Sequence, residues 1–122
     1  MIDPNGKAMV HGSIEHLNPD SVPKNPAFTQ VVVASGQVKT VYVGMQNAVD
    51  ASRTIVGKGD IQAQTVQTLK NLQACLEAAG AKPEHIVRWN IYVAQGRPIQ
   101  PAFEAGMRWW GNRANPPASH PH

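Results

Sequence analysis

Residues 59–80, GDIQAQTVQTLKNLQACLEAAG, constrain the fold of this chain more than any other stretch. Val66, Leu69, Leu72, Leu76 and Ala79 recur three or four residues apart, which is the period of a helix that buries one stripe. Gln62, Gln67, Lys70, Asn71 and Glu77 fall on the other faces. The spacing predicts an amphipathic helix lying against something flat. Asp60 suits its N-cap, because a carboxylate there accepts from orphan backbone N–H groups of the first turn. Gly80 suits the position just past its end, where a left-handed backbone is cheap for glycine. A helix over 61–79 is about 28 Å long, and the remainder of a 122-residue chain has to pack around it.

The flanking segments supply that flat partner. Residues 1–27 carry Pro4, Pro19, Pro23 and Pro26 with little periodicity and read as an irregular arm. The β-branched run in TQVVVAS (29–35) reads as a strand. After the turn signal Ser35-Gly36, residues 38–45 alternate, with Val41 and Val43 opposed to Thr40 and Tyr42; the two runs predict a hairpin. Residues 46–58 read as a loop. Beyond the helix, Val87, Trp89, Ile91 and Val93 alternate with Arg88, Asn90 and Tyr92, which predicts a strand over 86–94. Strand, helix and strand in succession imply a right-handed crossover and a parallel pair. Gln95 to Pro98 break that strand. A second helix then carries Ile99, Ala102, Phe103, Gly106, Met107 and Trp110 on one face, with Pro98 in its first turn. The β-β-α-β-α order makes an α+β sandwich with helices on one sheet face and the other face open. A further strand would suit the alternation, but residues 111–122, with three prolines, give no signal for one. We expect one domain over 28–118, a tail over 119–122, and a sheet edge left exposed or completed by another subunit.

Composition removes several classes of function. No apolar run approaches the roughly 20 residues that span a bilayer, and Asp3, Pro4 and Asn5 sit where a signal peptide needs apolar residues. The single cysteine, Cys75, excludes an internal disulfide and suits a reducing, cytoplasmic setting. Net charge is +3, with basic residues scattered from Lys7 to Arg113, whereas nucleic-acid binding favours a cluster or stripe. His11, His16, His85, His120 and His122 have no metal-ligand spacing on a regular element; no metal and no cofactor are expected. Cys75 reads as a small packed residue of the long helix. Trp109 and Trp110 with Arg108 and Arg113 could form a stacking platform for bases, but a core position for Trp110, with Trp109 flanking it, is the better reading. Tyr92, opposite Trp89 on its strand, is expected on the open sheet face, which a partner would bury.

Several stretches together resemble one family. They are PAFTQVVVAS (26–35), VYVGMQ (41–46), residues 55–93 from IVGKGDIQ to NIYV, and NPP (115–117). Within them stand Asp60, Gln64-Thr65, Asn71-Leu72, Ala78-Ala79-Gly80, and Ile86-Val87 ahead of a strand. This combination is similar to the Rid family, named for RidA and formerly YjgF, and also labelled endoribonuclease L-PSP. The resemblance covers about residues 15–118. It implies a chorismate-mutase-like α+β fold, a homotrimer whose sheets line an inner barrel, and ligand clefts between subunits.

The activity that the resemblance implies is hydrolysis of reactive enamine and imine intermediates made from amino acids, which protects pyridoxal-phosphate enzymes. The family uses an arginine to hold the substrate carboxylate bidentately and a C-terminal glutamate near the attacking water. Ser119, in PPAS, stands where the family has its arginine. The strand that would supply the glutamate is not expected in this chain, so no catalytic residue is assigned. Gly44 and Met45 replace a pocket serine and glycine ahead of Gln46, Phe28 replaces a tyrosine, and Phe103 aligns near an asparagine. By resemblance the cleft residues are therefore Phe28, Gly44, Met45, Gln46, Phe103 and Ser119. The departures resemble Rid subgroups that lack the arginine. Three functions follow for comparison: a deaminase of small imines or enamines, a non-catalytic binder or scaffold that keeps the trimer and its clefts, and an RNA-acting protein.

Overall fold

The structure, a computed structural model, describes residues 12–121 of the chain. Its organising element is helix α1, Ile61–Ala78. The Asp60 carboxylate accepts from the Ala63 N–H at 3.1 Å, so the predicted N-cap is in place. At the other end Gly80 takes φ +72°. The Gly80 N–H donates to the Glu77 carbonyl at 3.0 Å and the Ala81 N–H to the Leu76 carbonyl at 2.8 Å. These two bonds form a Schellman motif, which satisfies carbonyls the helix itself leaves open. Of the predicted stripe, Leu76 is 5% exposed and Leu69, Leu72 and Ala79 are half-buried. Val66 departs from it and is exposed, because it borders an open depression shared with Val56.

The strands differ from the sequence reading in three ways. First, β2 (Val31–Ser35) does not pair with residues 38–45. Its antiparallel partner is β1, Ser13–Leu17, with Ser13 opposite Ser35 and Leu17 opposite Val31. The arm over 1–27 therefore contains a strand, while its residues 1–11 lie outside the described residues. Second, the strand expected over 86–94 is limited to β3, Arg88–Ile91. Third, a fourth strand is present where none was expected. β4, Ala118–Pro121, runs parallel to β3 with Trp89 opposite Ser119, so residues 119–121 belong to a ladder and are not a free tail. The parallel pair is bridged by the second helix, α2 (Gln100–Trp110), and not by α1.

Two sheets of two strands each result, β1–β2 and β3–β4, with α1 and α2 in contact. This is an α+β arrangement, as the element pattern predicts. The first turn of α2 holds Pro101, with Pro98 ahead of the helix. Its buried residues are Ala105 and Trp110. Ala102 and Gly106 are half-buried, but Ile99, Phe103 and Met107 of the predicted face are exposed. The tightest packing joins distant parts of the chain: Thr29 is 2% exposed and Pro117 is fully buried. The Thr29 N–H donates to the Pro117 carbonyl at 3.2 Å and its hydroxyl to that of Pro116. These bonds tie the start of β2 to the approach of β4.

Candidate functional site

Ser119 is the most constrained of the residues assigned to the cleft by resemblance. Parallel pairing sets it beside Trp89, and its hydroxyl oxygen accepts from the indole N–H at 2.7 Å. Trp89 in turn meets α2. Its ring centroid is 6.1 Å from that of Trp109 and 6.2 Å from that of Trp110, and those two are 6.4 Å apart. Tilted and edge-on arrangements of this kind match the quadrupoles of the rings. Trp110 is buried, as its place in the helix stripe predicts.

Arg113 closes this cluster from outside. Its guanidinium carbon lies 5.6 Å from the centre of the Trp109 ring and 5.9 Å from that of Trp110, within cation–π range. One terminal nitrogen donates to the carbonyls of Trp109 (2.6 Å) and Trp110 (3.1 Å), so a cation caps the negative end of α2. The Arg113 Nε donates to Glu84 Oε1 at 3.1 Å, and the Trp110 indole N–H returns a bond to the Arg113 carbonyl at 2.8 Å. Glu84 is held below the ordinary glutamate range, first by its own backbone N–H and then by Arg113. The indole rings are thus engaged by one another and by Arg113, which leaves them poorly placed to stack bases.

The other cleft residues occupy two further places. Gly44, Met45 and Gln46 follow one another in the segment 38–46, which forms no strand. Met45 is 80% exposed and Tyr42 in the same segment 92% exposed; a Cβ at Gly44 would meet nothing within 4 Å. The Gln46 amide donates back to the Gly44 carbonyl at 3.3 Å. Phe28 is half-buried next to Thr29, so the Thr29 bonds to Pro116 and Pro117 draw its segment toward that of Ser119. Phe103 is 48% exposed on α2. Among the described residues no hydrogen bond joins the segment 44–46 to Phe28, Phe103 or Ser119. Two open depressions flank the first half of α1 instead. One, of about 370 Å³, is bordered by Val56, Asp60 and Val66; the other, of about 170 Å³, by Gly59, Gln64 and Arg97. Neither includes any of the six residues.

Three features escaped the sequence reading. Thr29 stands in the quoted run PAFTQVVVAS, but its partner is 87 residues away. Asn71 donates to the carbonyls of Asn47 (2.9 Å) and Val49 (2.8 Å) and accepts from the Gln67 amide at 2.8 Å. It thereby fastens the loop after residue 46 to α1. The Asp50 carboxylate organises that loop, accepting from Thr54 N–H, Ser52 N–H and the Ser52 hydroxyl. Asp50 sits below the ordinary aspartate range, mainly through Thr54 and then the Ser52 hydroxyl. Its spacing to Ser52 and Thr54 was the signal available. Cys75 is free and half-buried. Among the described residues no helix is long and apolar enough to cross a membrane.

Comparison with known proteins gives this arrangement a family. The family model described as Endoribonuclease L-PSP matches residues 21–120. A crystal structure of a protein of unknown function from Yersinia pestis, YyfB of the conserved Rid protein family, is 32% identical. That match covers 88% of this chain and 82% of the other, with a TM-score of 0.75. A hypothetical protein from Giardia lamblia is 21% identical over 90% of this chain and 84% of its own, with a TM-score of 0.57. A protein of unknown function from Pseudomonas aeruginosa is 20% identical over 92% and 80%, at 0.54. These last two likenesses speak for the fold. Comparison with curated proteins returned no significant match. The extent of the family match and the identity to YyfB establish that the chain belongs to the Rid family, the endoribonuclease L-PSP group.

Proposed function

We propose that this chain is a subunit of a homotrimer that handles a small metabolite, of imine, enamine or related carbonyl type, in clefts between subunits. One observation carries the reading. The residues that family resemblance assigns to the cleft do not enclose a site within one chain, and Met45 stands 80% exposed. A site of this kind needs walls from a neighbouring copy. Exposed apolar residues on both sheets and on α2, among them Ile14, Val31, Val33 and Phe103, are surface that such a neighbour would cover. A cytoplasmic setting suits the free Cys75.

Two versions of this function differ at position 119. Hydrolytic deamination by the family route needs a bidentate anchor for a carboxylate. Ser119 offers only a hydroxyl, which already accepts from Trp89, and this favours a binding or scaffold role over fast turnover. Two measurements on the purified chain test the proposal. Molar mass in solution is expected at three times that of the chain; a folded monomer at all concentrations removes the cleft and the reading with it. Ammonia release from an enamine formed in situ separates the versions: no rate above buffer removes the enzyme, while thermal stabilisation by a small carboxylate or amide without turnover retains the binder.

A further inference from the structure

The Ser119 hydroxyl has one hydrogen-bonding function filled and one open. An indole nitrogen only donates, so the Trp89 N–H at 2.7 Å takes a lone pair of Ser119 Oγ and leaves the hydroxyl proton to point elsewhere. Among the described residues no acceptor receives that proton. Trp89 is itself fixed by the Trp109 and Trp110 rings at 6.1 and 6.2 Å. The side of the oxygen that meets the indole is therefore defined, and the proton is directed away from the aromatic cluster. No cation stands beside it to share an anion. The six residues assigned to the cleft hold no ionisable group. Arg113, which reaches the same cluster, is committed to Glu84, to the carbonyls of Trp109 and Trp110 and to two indole rings. Arg88 lies opposite Ala118, one rung earlier, and alternation along a strand puts it on the other side of the sheet from Ser119. What does approach is apolar. Phe28 is half-buried, and its neighbour Thr29 is bonded to the Pro117 carbonyl at 3.2 Å, two residues ahead of Ser119.

We propose that Ser119, oriented by Trp89, donates a single hydrogen bond to the oxygen of an uncharged carbonyl compound that carries an apolar group, and that the cleft selects such neutral ligands over carboxylates. Ser119 is then the specificity-determining donor and Trp89 its positioning residue. One hydroxyl proton matches one carbonyl acceptor. A carboxylate brought to the same place keeps a full charge with one donor and no cation, and an unpaired charge is far harder to remove from water than an amide or a ketone. Phe28 and Phe103 supply the apolar contact that the rest of such a ligand needs. The inference rests on the cleft reading above and deepens it by naming the class of ligand.

Calorimetric titration of the purified chain with phenylacetamide and with phenylacetate, which share size and ring and differ in charge, tests this. The amide is expected to bind more tightly by about tenfold or more. Equal or tighter binding of phenylacetate overturns this inference and leaves the cleft standing. A trimer that binds neither compound also overturns it, and a monomer at every concentration removes the cleft and the inference together. Ser119→Ala, with its fold checked by circular dichroism, should weaken the amide about two- to tenfold, the worth of one neutral hydrogen bond, and leave phenylacetate unaffected. Undiminished amide affinity contradicts the donor role. Trp89→Phe keeps a ring and removes the N–H that orients the hydroxyl, so it should narrow the ratio of amide to carboxylate affinity. Affinities that fall together at a constant ratio make Trp89 merely structural and overturn its positioning role.

Discussion

The indole N–H of Trp89 donates to the hydroxyl of Ser119 at 2.7 Å across a rung of the β3–β4 ladder. One hydrogen bond thus joins the only parallel pair among the described strands to the aromatic cluster on α2. Ser119→Ala removes the acceptor and leaves a part-buried N–H unpaired. An unsatisfied group of this kind costs about 1–3 kcal/mol, or a lowering of Tm by roughly 4–12 °C for a domain of this size. Thermal unfolding followed by tryptophan emission checks it, because Trp89 is one of the three reporters. An unchanged midpoint would mean that the bond contributes nothing net.

Gly57 and Gly80 separate two reasons for needing glycine. Both have positive φ, +68° and +72°. A Cβ at Gly80 meets nothing within 4 Å, but at Gly57 it would lie 2.7 Å from the Ala63 Cβ and 3.1 Å from the Gln64 nitrogen. Gly80→Ala should cost about 1 kcal/mol, the penalty of a left-handed backbone for a residue with a side chain. Gly57→Ala adds a clash with the first turn of α1 and should cost about 2–4 kcal/mol. Denaturant midpoints at constant m-value measure both, and equal losses would contradict the packing at Gly57.

The helix α1 was legible because its signals are local: a cap at Asp60, a stripe, and Gly80 at the end. The strands were less so, since a strand is defined by its partner as much as by its residues. SIEHL, now β1, is short and sits in a proline-rich stretch, and ASHP, now β4, has no β-branched residue and contains a proline. The opposite error occurred at 38–45, where good alternation met no neighbour in its own chain. The family was legible through runs such as PAFTQVVVAS and the capped helix. The site was legible only as separate residues, because Thr29 and Pro116, or Trp89 and Ser119, are brought together across 87 and 30 positions.

Acid should loosen the molecule at two turns. Glu84 and Asp50 both titrate below their ordinary values in the folded chain, so the native state binds fewer protons than the unfolded one. Their contributions are present above the ordinary carboxylate values near pH 4 and are lost as pH falls through the lower folded values. Both groups face solvent, which keeps the effect small. Melting temperature should be flat from pH 7 to about 5 and decline below about 4. Glu84→Gln together with Asp50→Asn should make that decline shallower, and an identical slope in the double variant would remove these two groups as its source.

Thr29 offers the clearest test of how the two ends of the domain are coupled. Its side chain is 2% exposed, and its hydroxyl is bonded to the Pro116 carbonyl while its N–H holds that of Pro117. Thr29→Val keeps the volume and the backbone bond but removes the hydroxyl, leaving the Pro116 carbonyl without this donor. The loss should be about 1–3 kcal/mol. Its consequence should also be directional. The amides of β4, which depend on the Pro116–Pro117 segment for their position, should lose exchange protection more than those of α1, whose caps are self-contained. A uniform loss along the chain would mean that Thr29 merely fills space, whereas a loss concentrated at β4 and at the start of β2 identifies it as the fastening between them.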